Sequence, residues 1–168
     1  MATTCLVVMG VSGAGKTTIA ELLAERLGWQ LAEADEFHPP ANIGKMSAGI
    51  PLTDADRAPW LAAIRDWITA KDALGHNTVV TCSALKRSYR AILGEASSRV
   101  RFVFLSGGTE LIASRLSRRS GHFMPPELLG SQVGDLEPLG ADEDGITVDV
   151  SAPPSGIADT ALRGLGLP

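Results

Sequence analysis

Eight residues near the amino end constrain this chain more than any others. Gly10, Val11, Ser12, Gly13, Ala14, Gly15, Lys16 and Thr17 fit the pattern GxxxxGK[ST]. They lie between a short apolar run, Cys5 to Met9, and a segment in which Ile19, Leu22, Leu23 and Leu27 recur at helical spacing. The valine-rich run predicts a strand buried on both faces, and Gly28 stands where a helix over Lys16 to Leu27 would stop. Strand, glycine loop and helix in this order open a βαβ unit, and the loop is suited to a phosphate. Residues without a Cβ let the backbone wrap an anion, with successive N–H groups and the positive helix end pointing at it. Lys16 adds a point charge for the β and γ phosphates, and the Thr17 hydroxyl suits Mg2+. Gly10 through Thr18 are thus the candidate nucleotide-binding residues, Thr17 the candidate metal ligand, and Lys16 also a candidate catalytic group.

The rest of the chain continues the alternation. Trp29 to Ala34 reads as a strand running up to Asp35, followed by an excursion over Pro39 to Pro51 with a short helix around Asn42 to Ser47. A helix is predicted from Asp54 to about Leu74, with Trp60, Ile64, Trp67 and Ile68 on its buried face; Pro59 would be tolerated there only in the first turn. Strands are predicted at Thr78 to Cys82, Val100 to Leu105 and Ile146 to Val150. Helices are predicted at Leu85 to Leu93 with Gly94 as the stop, at Thr109 to Arg119, near Glu127 to Leu136, and after Pro154. Ser120 to Pro126 carries a glycine and two prolines and must leave the helix, as a flap would. Alternating β and α segments in 168 residues favour one domain, an α/β fold with a parallel sheet covered on both faces.

Composition narrows what the loop serves. Fifteen Lys and Arg against 19 Asp and Glu give a net charge of −4, which disfavours a broad grip on nucleic acid or on an anionic membrane, so an anion must be held by a local cluster. Aromatics are only 5% of the chain, too few for a base-stacking surface. Cys5 and Cys82 lie in apolar runs without metal-site spacing and read as buried free thiols. Met1 to Thr4 lacks a basic stretch and the apolar run after it breaks at Gly10, so the expectation is a reducing, cytoplasmic setting.

Other residues bear on what is done with the nucleotide. A guanine-reading NKxD string is absent, and Thr78 to Cys82 runs into Ser83 rather than an aspartate, against a GTP switch or a motor ATPase. Asp35, just past the second strand where a parallel sheet places its crevice, is the nearest candidate to accept a hydroxyl proton, orient that hydroxyl, or reach Mg2+ through water; the alternative is a turn or cap aspartate. Arg115 and Arg119 are i,i+4 on one predicted helix face before the glycine-containing flap, placed to offset charge on a transferring phosphoryl group, or else to complement a helix end. Lys86 and Arg90 repeat the i,i+4 spacing after the third predicted strand, and Arg57 begins the long helix. All three are candidate contacts for an anionic substrate group, or else surface charges. His38 and His122 are isolated donors for substrate polar groups; His76 reads as an exposed loop residue.

The strings Asp35-Glu36-Phe37-His38-Pro39, Asn42-Ile43-Gly44-Lys45-Met46, Asp56-Arg57 with Pro59-Trp60-Leu61, Cys82-Ser83-Ala84-Leu85-Lys86, Tyr89-Arg90, Gly121-His122-Phe123 and Leu136-Glu137-Pro138-Leu139 follow the glycine loop in that order. Together they resemble the gluconate kinase family of the shikimate-kinase-like P-loop group, over most of Gly10 to Glu143. The resemblance implies a three-layer α/β/α P-loop NTPase fold with a central parallel sheet, a substrate-side helical flap at about 38–75 and a lid at about 119–138. It implies ATP- and Mg2+-dependent phosphorylation of the 6-hydroxyl of D-gluconate by a cytoplasmic homodimer. Carried over residue by residue, Asp35 faces the sugar hydroxyl; Arg57, Lys86 and Arg90 border the substrate; Arg115 and Arg119 belong to the lid helix, and His122 to the lid. Val133 and Ala91 depart from the family pattern, which favours an aromatic and an acidic residue there. After Asp144 there is no sharp match, and Asp149 to Pro154 is set near the base by position only. On the residues alone, a shikimate or nucleoside monophosphate kinase and a nucleotide-dependent binding module stay open.

Overall fold

The computed structural model describes residues 3–10, 14–107 and 136–168. Five strands, β1 (Thr4–Met9), β2 (Gln30–Glu33), β3 (Thr78–Thr81), β4 (Arg99–Ser106) and β5 (Gly145–Asp149), form one sheet in the order β2-β3-β1-β4-β5. Every neighbouring pair is parallel; Val8 stands opposite Thr81, and Thr81 opposite Glu33. Because all five strands point the same way, the loops after their carboxyl ends gather along one edge of the sheet, where α/β proteins bind ligands.

The central strand explains the layering. Side chains alternate across β1, with Cys5, Val7 and Met9 entering one apolar cluster and Leu6 and Val8 the other. The first cluster is closed by Trp60, Leu61, Ile64 and Ile68 of α3 (Asp54–Ala73) and by Tyr89 and Leu93 of α4 (Arg87–Gly94). The second is closed by Ile19, Ala20 and Leu23 of α1 (Lys16–Leu27) and by Ile157, Ala158, Ala161 and Leu162 of α5 (Pro154–Leu165). Helices on both faces of a parallel sheet make the three-layer α/β/α fold that the sequence predicts. Each fully buried Leu or Ile in these layers is worth ~1.5–3 kcal/mol of transfer free energy. A short helix, α2 (Pro40–Ser47), sits in the excursion between β2 and α3.

Three expectations are corrected. Pro59 is the sixth residue of α3, not in its first turn, so the helix runs past it without the N–H that would have bonded the Ala55 carbonyl. The capping box made by Thr53 and Asp56 and the deep burial of Trp60, Leu61 and Ile64 hold the helix around this gap. α4 begins at Arg87 rather than Leu85, because Lys86 is extended at φ −108° and ψ 149°. α4 takes in Gly94 as its last residue, one position past the predicted end, and Glu95 follows at φ −73°. The helices predicted at Thr109 to Arg119 and near Glu127 to Leu136, with the intervening flap and most of the lid, lie outside the described residues. No helix among the described residues is long and apolar enough to cross a membrane.

Candidate active site

The loop after β1 and the start of α1 form one wall of the crevice. Gly10 is at φ +143°, and a Cβ there would stand 2.9 Å from the Leu105 carbonyl oxygen on β4, so only glycine lets the chain leave the sheet at this point. Gly15 caps α1 at φ +95°; it carries no side chain to accept from the helix's first amides, and the first turn holds no acidic residue. Neither the cap residue nor the first turn therefore neutralises the positive helix end. α3 starts in the opposite manner, with the Thr53 hydroxyl accepting from the Asp56 N–H, the Asp56 carboxylate accepting from the Thr53 N–H, and Asp54 beside them. Lys16 Nζ lies across the glycine loop and donates to the Gly10 carbonyl at 3.0 Å. Thr17, the second residue of α1, is half-buried, and Thr18 is exposed on the next position. Val11, Ser12 and Gly13 lie outside the described residues. Beside this wall, Ala14, Gly15, Thr18 and Ile19 face Ala152, Pro154 and Ile157 across a largely apolar cavity of about 220 Å³.

The second wall carries Asp35. It lies in a 3-10 turn, Ala34–Phe37, directly after β2, and its side chain is exposed. The turn is fixed from both sides: the Ala34 N–H reaches the Thr81 hydroxyl at 3.4 Å, and Trp60 Nε1 donates to the Ala34 carbonyl at 2.7 Å. Thr81 in turn donates to Glu33 Oε2 at 2.6 Å, which puts a second carboxylate at the end of β2. His38 is buried, with its ring stacked on Trp60 at 4.1 Å between centroids and 13° between planes. Its Nδ1 is 3.3 Å from Asn42 Nδ2, which can only donate, so Nδ1 accepts and the proton sits on Nε2. Burial drives its pKa down to about 4; the nearby Asp35 carboxylate opposes this and the Arg57 charge adds to it. His38 is thus a neutral donor.

Arg57 and Lys86 come together around Tyr89. Arg57 is buried, donates Nη1 to Tyr89 Oη at 2.9 Å, and lies 5.2 Å from the ring centroid. Tyr89 Oη donates to Asp54, and Lys86 Nζ reaches the same Asp54 oxygen at 3.0 Å while lying 5.6 Å from the Tyr89 ring. The Asp54 carboxyl is held below its ordinary pKa first by the Tyr89 hydroxyl and then by Lys86. Two cations and two oxygens form a polar set on the α3–α4 side of the crevice.

Arg90 is not part of this set. The i,i+4 spacing does not align it with Lys86, because Lys86 is extended and precedes the helix. The Arg90 guanidinium is buried instead against Glu143, with Nε to Oε2 at 2.6 Å and Nη2 to Oε1 at 3.0 Å. Arg115, Arg119 and His122 lie outside the described residues. His76 is exposed, as predicted, and Cys5 and Cys82 are free and buried, their thiols pushed up to about 12 chiefly by that burial. Sequence reasoning passed over Tyr89, Asp54 and Glu33 as site groups. The only signal for Tyr89 was its place beside Arg90 in a recurring string, and Glu33 differed from other glutamates only in ending a strand two residues before Asp35.

Comparison with known proteins bears on the same residues. The profile of the AAA domain family matches residues 6–138. A gluconokinase of Gluconobacter oxydans is 53% identical over 158 residues, covering 94% of this chain and 89% of that protein. The unliganded crystal structure of a sugar kinase from a Janibacter species superposes with a TM-score of 0.94 at 50% identity, covering 98% of this chain and 95% of its own. That of a gluconokinase from Sinorhizobium meliloti does so with a TM-score of 0.86 at 48% identity, covering 97% and 91%. Likeness this deep, spread over nearly the full length of both partners, shows that the chain belongs to the gluconokinase family of P-loop kinases.

Proposed function

We propose that this chain transfers the γ-phosphoryl group of ATP to the 6-hydroxyl of D-gluconate, giving 6-phospho-D-gluconate and ADP. The observation that carries the reading is the start of α1, whose cap glycine and first turn bring no acidic or side-chain acceptor, with Lys16 beside it, facing a crevice whose other wall presents an exposed carboxylate, a neutral histidine and a buried arginine. A triphosphate meets the first need and a polyol acid the second.

In this reading Gly10 through Thr18 cradle the phosphates, and the base occupies the cavity between Ala14, Thr18 and Ile19 on one side and Ala152, Pro154 and Ile157 on the other. Asp35 accepts the proton of the 6-hydroxyl as its oxygen bonds to the γ phosphorus and the bond to the β-phosphate oxygen breaks. The 3-10 turn that carries Asp35, pinned by Trp60 and Thr81, fixes that carboxylate without a reorganisation step. His38 donates its Nε2 proton to a substrate hydroxyl, and Arg57 and Lys86 face the carboxylate end. Arg115 and Arg119 are assigned to offset charge on the transferring group, and His122 to a further substrate contact. Mg2+ suits the Thr17 hydroxyl, an oxygen donor of the kind this ion prefers, and would draw charge from the phosphate oxygens. The flap at about 38–75, the lid at about 119–138, a single domain, a homodimer and a cytoplasmic setting belong to the same proposal.

The test is release of ADP by purified protein with ATP, Mg2+ and D-gluconate, run beside shikimate and nucleoside monophosphates as competing acceptors. Gluconate-dependent ADP release is expected. A rate with gluconate no higher than with ATP alone refutes the reading.

A further inference from the structure

Ala84 is the one non-glycine residue among those described with positive φ, at +45°, and it is fully buried in the turn between β3 and α4. An L-residue pays for this conformation, so something must hold it. The upstream end of the turn is fixed by the sheet, with the Cys82 N–H on the Val8 carbonyl at 3.1 Å and the Gly10 N–H on the Ser83 carbonyl at 3.2 Å. The downstream end leads directly into Lys86. Between them stands Arg90, which donates Nη1 to the Ala84 carbonyl at 2.8 Å and to the Leu85 carbonyl at 3.4 Å, and Nη2 to the Pro138 carbonyl at 3.4 Å. Glu143 orients the guanidinium from the far side, and its Oε1 also takes the Gly140 N–H at 3.0 Å.

A buried ion pair of this kind is a weak source of net stability compared with an apolar replacement. What it supplies is direction: a planar fork that grips carbonyls at fixed angles. We propose that Arg90 and Glu143 are positioning residues for the transfer reaction, holding the strained Ala84 turn so that Lys86 is set toward Asp54 and the acceptor side of the crevice. This rests on the kinase reading above. It moves Arg90 from the substrate's edge to a place behind it, and it gives Glu143 a role.

The experiment compares wild-type protein with Glu143→Gln, Ala84→Gly and the double variant, with Glu143→Asp made alongside in case the glutamine variant does not fold. Steady-state kinetics with gluconate are measured well below the lowest melting temperature, and ATP binding by calorimetry. Glu143→Gln, or Glu143→Asp, is expected to lower kcat/KM for gluconate about tenfold, the scale of one charged hydrogen bond, with ATP affinity within about twofold of wild type. Glycine carries no penalty at φ +45°, so Ala84→Gly alone should change kcat/KM by less than about twofold, yet recover about fivefold in the Glu143 background. A purely structural pair would lower the melting temperature and leave kcat/KM unchanged, which overturns the proposal; so does a loss that Ala84→Gly fails to recover. Wild-type protein inactive on gluconate would instead sink the kinase reading, and this proposal with it.

Discussion

Replacing His38 by glutamine removes one titration from the folding equilibrium and leaves the rest in place. In the native protein the ring is buried on Trp60 with Nδ1 turned to Asn42, and its pKa falls from 6.5 to about 4. In the unfolded chain the ring titrates near its ordinary value. Between those two values the unfolded state binds a proton that the native state refuses, so stability must fall as pH falls through that window and level off below it. At ~1.4 kcal/mol per unit the whole shift is worth ~3 kcal/mol, of which about 2 kcal/mol is lost between pH 8 and pH 5. The assay is urea unfolding of wild type and His38→Gln at both pH values. Every other ionisable group is common to the two proteins, so the extra pH-dependent loss in wild type isolates His38. An excess of about 2 kcal/mol is expected. An excess below ~0.5 kcal/mol would refute the argument, because it would mean that the native ring protonates as readily as the unfolded one.

Lys16→Ala should lower kcat by ~10² or more, since the ammonium contributes most where charge builds on the transferring group; near-normal turnover would count against its assignment. Asp35→Ala should lower kcat by ~10² to 10⁴ while calorimetric ATP affinity stays near wild type, and a parallel loss of ATP binding would show that Asp35 serves the nucleotide instead. Thr53→Ala removes one half of the α3 capping box and should cost ~1 kcal/mol in urea unfolding with little effect on KM for ATP. No change in stability would mean that Asp56, bonded also to Lys45, holds the helix start unaided.

What the sequence disclosed depended on how far apart the cooperating residues lie. The phosphate loop is local: eight consecutive residues carry the glycines, the lysine and the hydroxyl, and the flanking strand and helix follow from simple periodicity, with α1 falling on Lys16–Leu27 as predicted. Asp35 was singled out by the same local logic, since it follows a strand whose carboxyl end must lie at the crevice edge of a parallel sheet. Pro59 was misjudged because the propensity rule treats a helix in isolation. In α3 the missing bond is one among the contacts of Trp60, Leu61, Ile64 and Ile68, and burial on that scale outweighs it. Arg90 does not join Lys86 as its spacing suggested, because i,i+4 spacing brings side chains together only if both residues are helical. Its partner Glu143 is 53 positions away, a distance that no periodicity encodes.

The two helix starts show why one end is a site and the other is scaffolding. Both expose the same four amides, and both sit beside the sheet's carboxyl edge. At α3 the chain provides its own acceptors, through Thr53, Asp56 and Asp54, and the helix end is closed electrostatically. At α1 the cap residue and the first turn provide none: Gly15 has no side chain, the first turn has no acid, and Lys16 adds to the positive end instead of cancelling it. A glycine at the cap is a cost in a protein selected only for stability, since a capping side chain in its place would recover up to ~1 kcal/mol. In a chain of net charge −4 that local positive end is also the place where a polyanion loses least by approaching. Under the proposed function the acceptor needs separate cations; Arg57 and Lys86 would supply them from the opposite wall, tied to Tyr89 and Asp54 so that neither must be ordered at the moment of reaction.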